Sequence, residues 1–155
     1  GNFASTGGWT LGKDIATSFY SKYLIVNLTA EQQKALEDFT NNSYRPCCGN
    51  STAFPDCNHG MAMLGLGEIM ASQGLSAKEM FEAFKYVNAF WFPQNYFDMA
   101  KYFKAKEGKG WKDVDARTLA GVDYSSSSGS QRIKQWLSDN NLIEKVPSSG
   151  GGCGV

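Results

Sequence analysis

The spacing of apolar positions predicts helices along most of the chain. Leu11, Ile15, Phe19, Tyr23 and Val26 recur every three to four residues, the period of one helix face. They predict an amphipathic helix over 11–26, broken at Asn27-Leu28. Thr29 and Gln32 have capping-box spacing and open a second helix over 30–39, which buries Ala35, Leu36 and Phe39 and exposes Glu31, Lys34, Glu37 and Asp38. From about Asn58 a third helix is marked by Met63, Leu64, Leu66, Ile69 and Met70, and Gly74 stops it. Gly60, Gly65 and Gly67 lie inside that helix. Each costs roughly 0.5–1 kcal/mol relative to alanine, so close approach by another helix or a ligand is expected to compensate.

Ser76 and Glu79 form a second capping box. The helix it opens carries Met80, Phe81, Phe84, Val87, Phe90 and Trp91 on one broad apolar face. Pro93 must break or kink it, after which Tyr96, Phe97, Met99, Ala100 and Phe103 resume the period to about Lys106. The pattern over 111–124 is ambiguous, with a short helical turn around 116–120. Ser125 to Gly129 has the composition of a flexible linker, and Ser130 is placed to cap a last helix through Ile133, Trp136 and Leu137. No stretch alternates with period two, and no repeat is present. The expected fold is mainly α, a compact bundle of five or six helices with a long cysteine-bearing loop. Its expected organisation is a flexible segment 1–10, a single helical domain 11–146 and a Gly/Ser-rich tail 147–155 carrying Cys153.

With 155 residues, 42% of them apolar and 14% aromatic, the chain is long enough to bury one core. Fifteen basic residues balance fifteen acidic ones, which leaves no whole-protein field for nucleic acid, and no nucleic-acid partner is expected. No apolar run approaches the ~20 residues that span a bilayer. The uncharged start Gly1-Asn2-Phe3-Ala4-Ser5-Thr6-Gly7-Gly8 fits a mature secreted or lipid-tethered chain, or a cloning remnant ahead of native residues.

The chemistry is concentrated in Arg45-Pro46-Cys47-Cys48-Gly49 and Asp56-Cys57-Asn58-His59-Gly60-Met61-Ala62-Met63. These stretches hold three of the four cysteines, the only histidine and two of the five methionines. Thiolates and an imidazole at this density point to one thiophilic metal ion. The candidate ligands are Cys47, Cys48, Cys57, His59 and Cys153, with Met61 and Met63 as soft neighbours that favour copper(I); copper(I) and zinc are the leading ions. On a regular helix Cys57 and His59 point to different sides, so they converge only if Cys57 lies in the preceding loop, with Asp56 in the cap position. Adjacent cysteines tend to diverge, and one of Cys47 and Cys48 is then a bystander.

Two other readings stay open. Four cysteines permit two disulfides, giving a disulfide-stapled interaction domain in which Cys48 and Cys57 close an easy loop. The vicinal pair Cys47-Cys48 could instead serve a thiol redox protein. A haem ligated by His59 and a methionine, walled by Phe90, Trp91, Phe92, Tyr96, Phe97, Tyr102 and Phe103, is a further alternative. No protease or transferase signature surrounds the cysteines.

Pro46-Cys47-Cys48-Gly49, followed by Cys57 and by His59-Gly60 at the head of a helix, resembles the small exported bacterial proteins named for a Pro-Cys-Tyr-Cys-Gly-Cys motif. The likeness covers about thirty residues. The tyrosine and the third cysteine of that motif are absent, and no second cysteine pair follows His59. The resemblance implies an exported, lipid-anchored protein with a thiol-rich site, in the periplasm or at the cell surface.

Overall fold

The computed structural model describes residues 5–10, 12–20 and 22–146. Seven α-helices occur among them: α1 Ala30–Asn41, α2 Asn58–Ser72, α3 Ala77–Trp91, α4 Pro93–Glu107, α5 Ala116–Ala120, α6 Val122–Ser125 and α7 Ser127–Asp139. No strand is present among the described residues. The mainly α architecture expected from the periodicity is the one observed.

Local chemistry sets most of the helix boundaries. Thr29 and Gln32 form a reciprocal capping box at α1, as do Ser76 and Glu79 at α3, each satisfying two backbone donors that the first turn leaves unpaired. Pro93 takes the first position of α4, where its missing N–H is no loss, so α3 and α4 meet at a break at Phe92. Gly108 ends α4 in the left-handed conformation.

Two apolar clusters fill the interior. Leu36, Phe39, Met63, Met70, Met80, Phe81 and Phe84 join α1, α2 and α3. Tyr96, Met99, Phe103, Leu119, Ile133 and Leu137 join α4, α5 and α7. Gly67 lets α1 and α2 approach, because a Cβ there would stand 3.0 Å from Leu36 Cδ1 and 3.2 Å from Phe39 Cε1. Lys85 is buried, donates to Val114 O at 2.8 Å and lies 4.7 Å from the centre of the Trp111 ring. It thereby fastens the 3-10 turn Trp111–Asp113 to α3.

Three expectations are corrected. The segment 11–26 is not an amphipathic helix: among its described residues the only helical piece is the 3-10 turn Ala16–Phe19. Ile15, Tyr20, Leu24 and Ile25 stand exposed. Its aromatic, β-branched and hydroxyl side chains are weak helix formers, and the exposed Ile15, Phe19 and Tyr23 supply no burial to compensate.

The stretch 125–129 is not a linker. Ser125 and Ser126 are buried, and Ser126, rather than Ser130, caps α7 by accepting the Gly129 N–H at 3.0 Å. Gly129 is required there, since a Cβ would fall 2.6 Å from Asp123 O. Phe90, placed by its spacing on the apolar face of α3, is instead 83% exposed.

At the N-terminal end, Ser5–Gly8 forms a 3-10 turn against the head of α2. Ser5 Oγ donates to Asp56 O at 2.8 Å and Trp9 Nε1 donates to Asn58 Oδ1 at 2.9 Å. The tail 147–155, with Cys153, lies outside the described residues.

Candidate metal centre

The connection between α1 and α2 is built around Arg45, which is buried to 1% exposure. Tyr44 and Ser51 form an isolated antiparallel bridge, and the hydroxyls of Ser43 and Thr52 bond at 2.8 Å behind it. Pro46 presets the following turn, closed by Cys48 N–H donating to Arg45 O at 3.3 Å, with proline in its favoured second position.

The guanidinium then collects the returning chain. Nε donates to Cys57 Sγ at 3.2 Å, Nη1 to Asn50 O at 3.3 Å, and Nη2 to Phe54 O at 3.3 Å and to Asp56 Oδ1 at 2.5 Å. The planar fork of arginine suits this many-sided contact where a lysine would not. It lies flat on Gly60, where any Cβ would come within 2.4 Å of Nη2.

Cys57 is the N-cap of α2, with extended backbone (φ −134°, ψ 170°), and its sulfur accepts the Gly60 N–H at 3.4 Å. This non-helical cap position is what lets Cys57 and His59 converge. The cap is thus Cys57 itself and not Asp56. The Sγ atoms of Cys47 and Cys57 are 3.7 Å apart. The donor atoms of Cys47, Cys57 and His59 all lie within 4.8 Å of one another, a group that can hold a metal ion. The His59 ring is packed 4.7 Å from the Phe92 centroid and 5.3 Å from that of Trp91, so the α3–α4 break fixes the imidazole.

Cys48 is not grouped with Cys47 and His59. Its sulfur lies 3.8 Å from both Asn50 O and Asp56 Oδ1, and Cys48, Asp56 and Cys57 make a second cluster within 4.8 Å. There, however, both carboxylate oxygens are engaged, Oδ1 by Arg45 and Oδ2 by Asn50 Nδ2 at 2.8 Å. A cation at the second cluster would have to compete with these hydrogen bonds for the carboxylate.

The electrostatics divide the sulfurs. Burial alone would push the Cys57 thiol up. The hydrogen bonds from Arg45 and from the Gly60 amide, with the Arg45 charge, outweigh it and hold Cys57 below the usual thiol range. Burial of its sulfur and the negative charge of Cys57 push Cys47 up to about 12. Burial also raises Cys48, against the opposing pull of the Asn50 contact and Arg45. Burial and the Arg45 charge lower His59, which favours the neutral imidazole that a metal ligand must be.

Cys47, Cys48 and Cys57 are free thiols. Met63 is a core side chain, 1% exposed, packed in the first apolar cluster. Met61 is half-buried one turn into α2. The aromatic stripe does not wall a haem pocket. Tyr96 and Phe103 fill the second core cluster and Phe90 faces solvent, so of that stripe Trp91 and Phe92 are the rings packed on His59.

Arg45, Asn50 and Asp56 were given no such role by sequence reasoning. The available signal was a lone arginine and a lone aspartate, each immediately flanking a cysteine segment. Comparison with protein-family models, with curated proteins and with solved structures returned no match. No helix among the described residues is long and apolar enough to cross a membrane.

Proposed function

We propose that the chain binds one thiophilic metal ion through Cys47, Cys57 and His59, that zinc is the ion it suits best, and that it serves metal handling. The observation that carries this reading is the 3.7 Å separation of the two sulfurs beside a fixed imidazole. Two thiolates bound to zinc at ~2.3 Å in tetrahedral geometry stand about 3.8 Å apart.

Charge favours a divalent ion. Two thiolates and the Asp56 carboxylate against one guanidinium leave two negative charges, which zinc neutralises and copper(I) does not. Three protein donors, with Cys47 at an exposed turn, leave a fourth position for water, a cargo-receiving partner or the tail cysteine, as in zinc sites that keep an open position. An extracytoplasmic location is supported by the resemblance of residues 46–60 to exported proteins.

Elemental analysis of protein purified without added metal, followed by zinc titration against a chromophoric chelator, tests the reading. One equivalent of zinc is expected, held at least tenfold more weakly in Cys57→Ser and His59→Ala and unchanged in Cys48→Ser. Copper(I) is run as competitor under a reducing atmosphere. Uptake that ignores both Cys57→Ser and His59→Ala sinks the assignment, and stoichiometric copper(I) displacing zinc replaces the ion.

A further inference from the structure

Beyond holding an ion, the same two sulfurs are arranged to react with each other. Cys57 Sγ sits on the Arg45 Nε–H and the Gly60 N–H at the head of a fifteen-residue helix, the setting that stabilises a thiolate and makes it nucleophilic. Cys47 Sγ is 3.7 Å away, on an exposed turn. A disulfide needs ~2.05 Å between sulfurs, so a shift of under ~2 Å by the Cys47 turn closes it. Cys47 is exposed, so the shift is asked of a surface turn rather than of a packed side chain.

Cys48 is placed otherwise, with its sulfur on Asn50 O and Asp56 Oδ1. The reactive pair is therefore not the vicinal one. Arg45 keeps three acceptors besides Cys57, so the platform survives when the sulfur it supports is oxidised.

We infer that Cys57 and Cys47 form a peroxide-reactive dithiol, with Cys57 attacking and Cys47 resolving, and that closing the disulfide releases the bound ion. The second half rests on the zinc reading above; the first half does not. In the first step the Cys57 thiolate attacks one oxygen of hydrogen peroxide. The O–O bond breaks, Cys57 becomes a sulfenic acid, and hydroxide leaves and is protonated to water. In the second, Cys47 sulfur attacks Cys57 sulfur, the S–O bond breaks, and hydroxide leaves with the Cys47 proton as a second water. Two thiols are oxidised by two electrons and one peroxide is reduced to two waters. Both sulfur donors are consumed, and His59 alone cannot retain the ion.

The test is equimolar hydrogen peroxide on the full chain, with thiols counted and bridges mapped by mass spectrometry, first in metal-free protein. Wild type and Cys48→Ser should each lose two thiols per peroxide and gain a Cys47–Cys57 bridge. Cys47→Ser should stop at a sulfenic acid on Cys57 that dimedone traps. Cys57→Ser should consume peroxide at least tenfold more slowly, and its fold should persist because serine is itself a good N-cap. A bridge to Cys48, or a Cys57→Ser rate equal to wild type, overturns the dithiol assignment.

Repeated on zinc-loaded protein with a colorimetric zinc indicator, the reaction should release one zinc per bridge, and a dithiol reductant should restore binding. Zinc retained after the bridge has formed overturns the release step. A chain that forms the bridge yet takes up no zinc upholds the dithiol and refutes the metal reading instead.

Discussion

The Arg45 guanidinium spends its donors on acceptors from residues 50, 54, 56 and 57, so one side chain holds the loop and tunes the Cys57 sulfur. Its removal has two separable consequences. Breaking a buried pair of this kind costs ~3–5 kcal/mol, and the partial exposure of Asp56, 19% against 1% for Arg45, places the effect toward the lower figure. In Arg45→Gln, burial becomes the dominant influence on Cys57, because the charge and strongest donor opposing it are gone. The pH midpoint for iodoacetamide alkylation of Cys57, measured in metal-free Cys47→Ser/Cys48→Ser protein, should move upward in Arg45→Gln.

The sign for stability follows. With the folded value below the unfolded one, the unfolded chain holds the proton more tightly, and stability rises with pH between the two. It is lost again as pH falls through the folded value. In Arg45→Gln the order is reversed, and stability falls as pH climbs from the unfolded thiol value toward the folded one. Denaturant midpoints across that range measure the slope, and an unchanged alkylation midpoint would show that the guanidinium does not tune the sulfur.

Within α2 the glycines differ in what they meet. Gly60 receives the guanidinium face, whereas Gly65 has nothing within 4 Å of a would-be Cβ. Gly65→Ala should therefore stabilise the chain by roughly 0.5–1 kcal/mol through helix propensity. Gly60→Ala should destabilise it and weaken zinc binding, since Arg45 must leave its seat. Thermal melts and chelator competition on both variants check this; equal effects at the two positions would contradict the role given to Gly60. The expectation that another helix or a ligand approaches these glycines holds at Gly67, where α1 packs; at Gly60 the Arg45 side chain approaches instead, and at Gly65 the structure offers no reason for glycine.

The same elements show what a sequence discloses. Capping boxes at Thr29 and Ser76 and the proline at 93 act within a few residues, so α1, α3 and α4 were legible at their starts. The segment 11–26 misled because periodicity registers which face would be apolar, and here Ile15, Phe19 and Tyr23 of that face stand exposed. The serines at 125–128 misled in the opposite direction: the Ser125 hydroxyl donates to Leu119 O and that of Ser126 caps α7, partners that composition does not reveal. At the site, the soft donors were visible by type, but the Arg45–Asp56 pair spans eleven residues and the two sulfurs ten. Which cysteine faces His59 depended on a turn geometry that only the folded loop displays.

At the scale of the molecule, the candidate centre sits where separate parts of the bundle join. Tyr44 N–H donates to Ala120 O at 2.8 Å and Ser127 N–H donates to Cys48 O at 2.9 Å, tying the loop to the ends of α5 and the start of α7. His59, from α2, is packed on Trp91 and Phe92 at the α3–α4 break. An ion bound to Cys47, Cys57 and His59 thus links the loop to α2, and through these contacts to the two core clusters. Binding to the folded chain alone stabilises it by ~2.7 kcal/mol at a hundredfold excess over Kd. For a chain of this size that corresponds to a rise in Tm of roughly 5–10 °C. The rise should appear as a shift of the whole transition, vanish in Cys57→Ser and His59→Ala, and reverse on adding a chelator. Calorimetry distinguishes this from a local effect. If zinc sharpened or moved only a minor early transition, the loop would be melting independently of the helices, and the contacts through Ala120, Ser127 and Phe92 would not couple the ion to the fold.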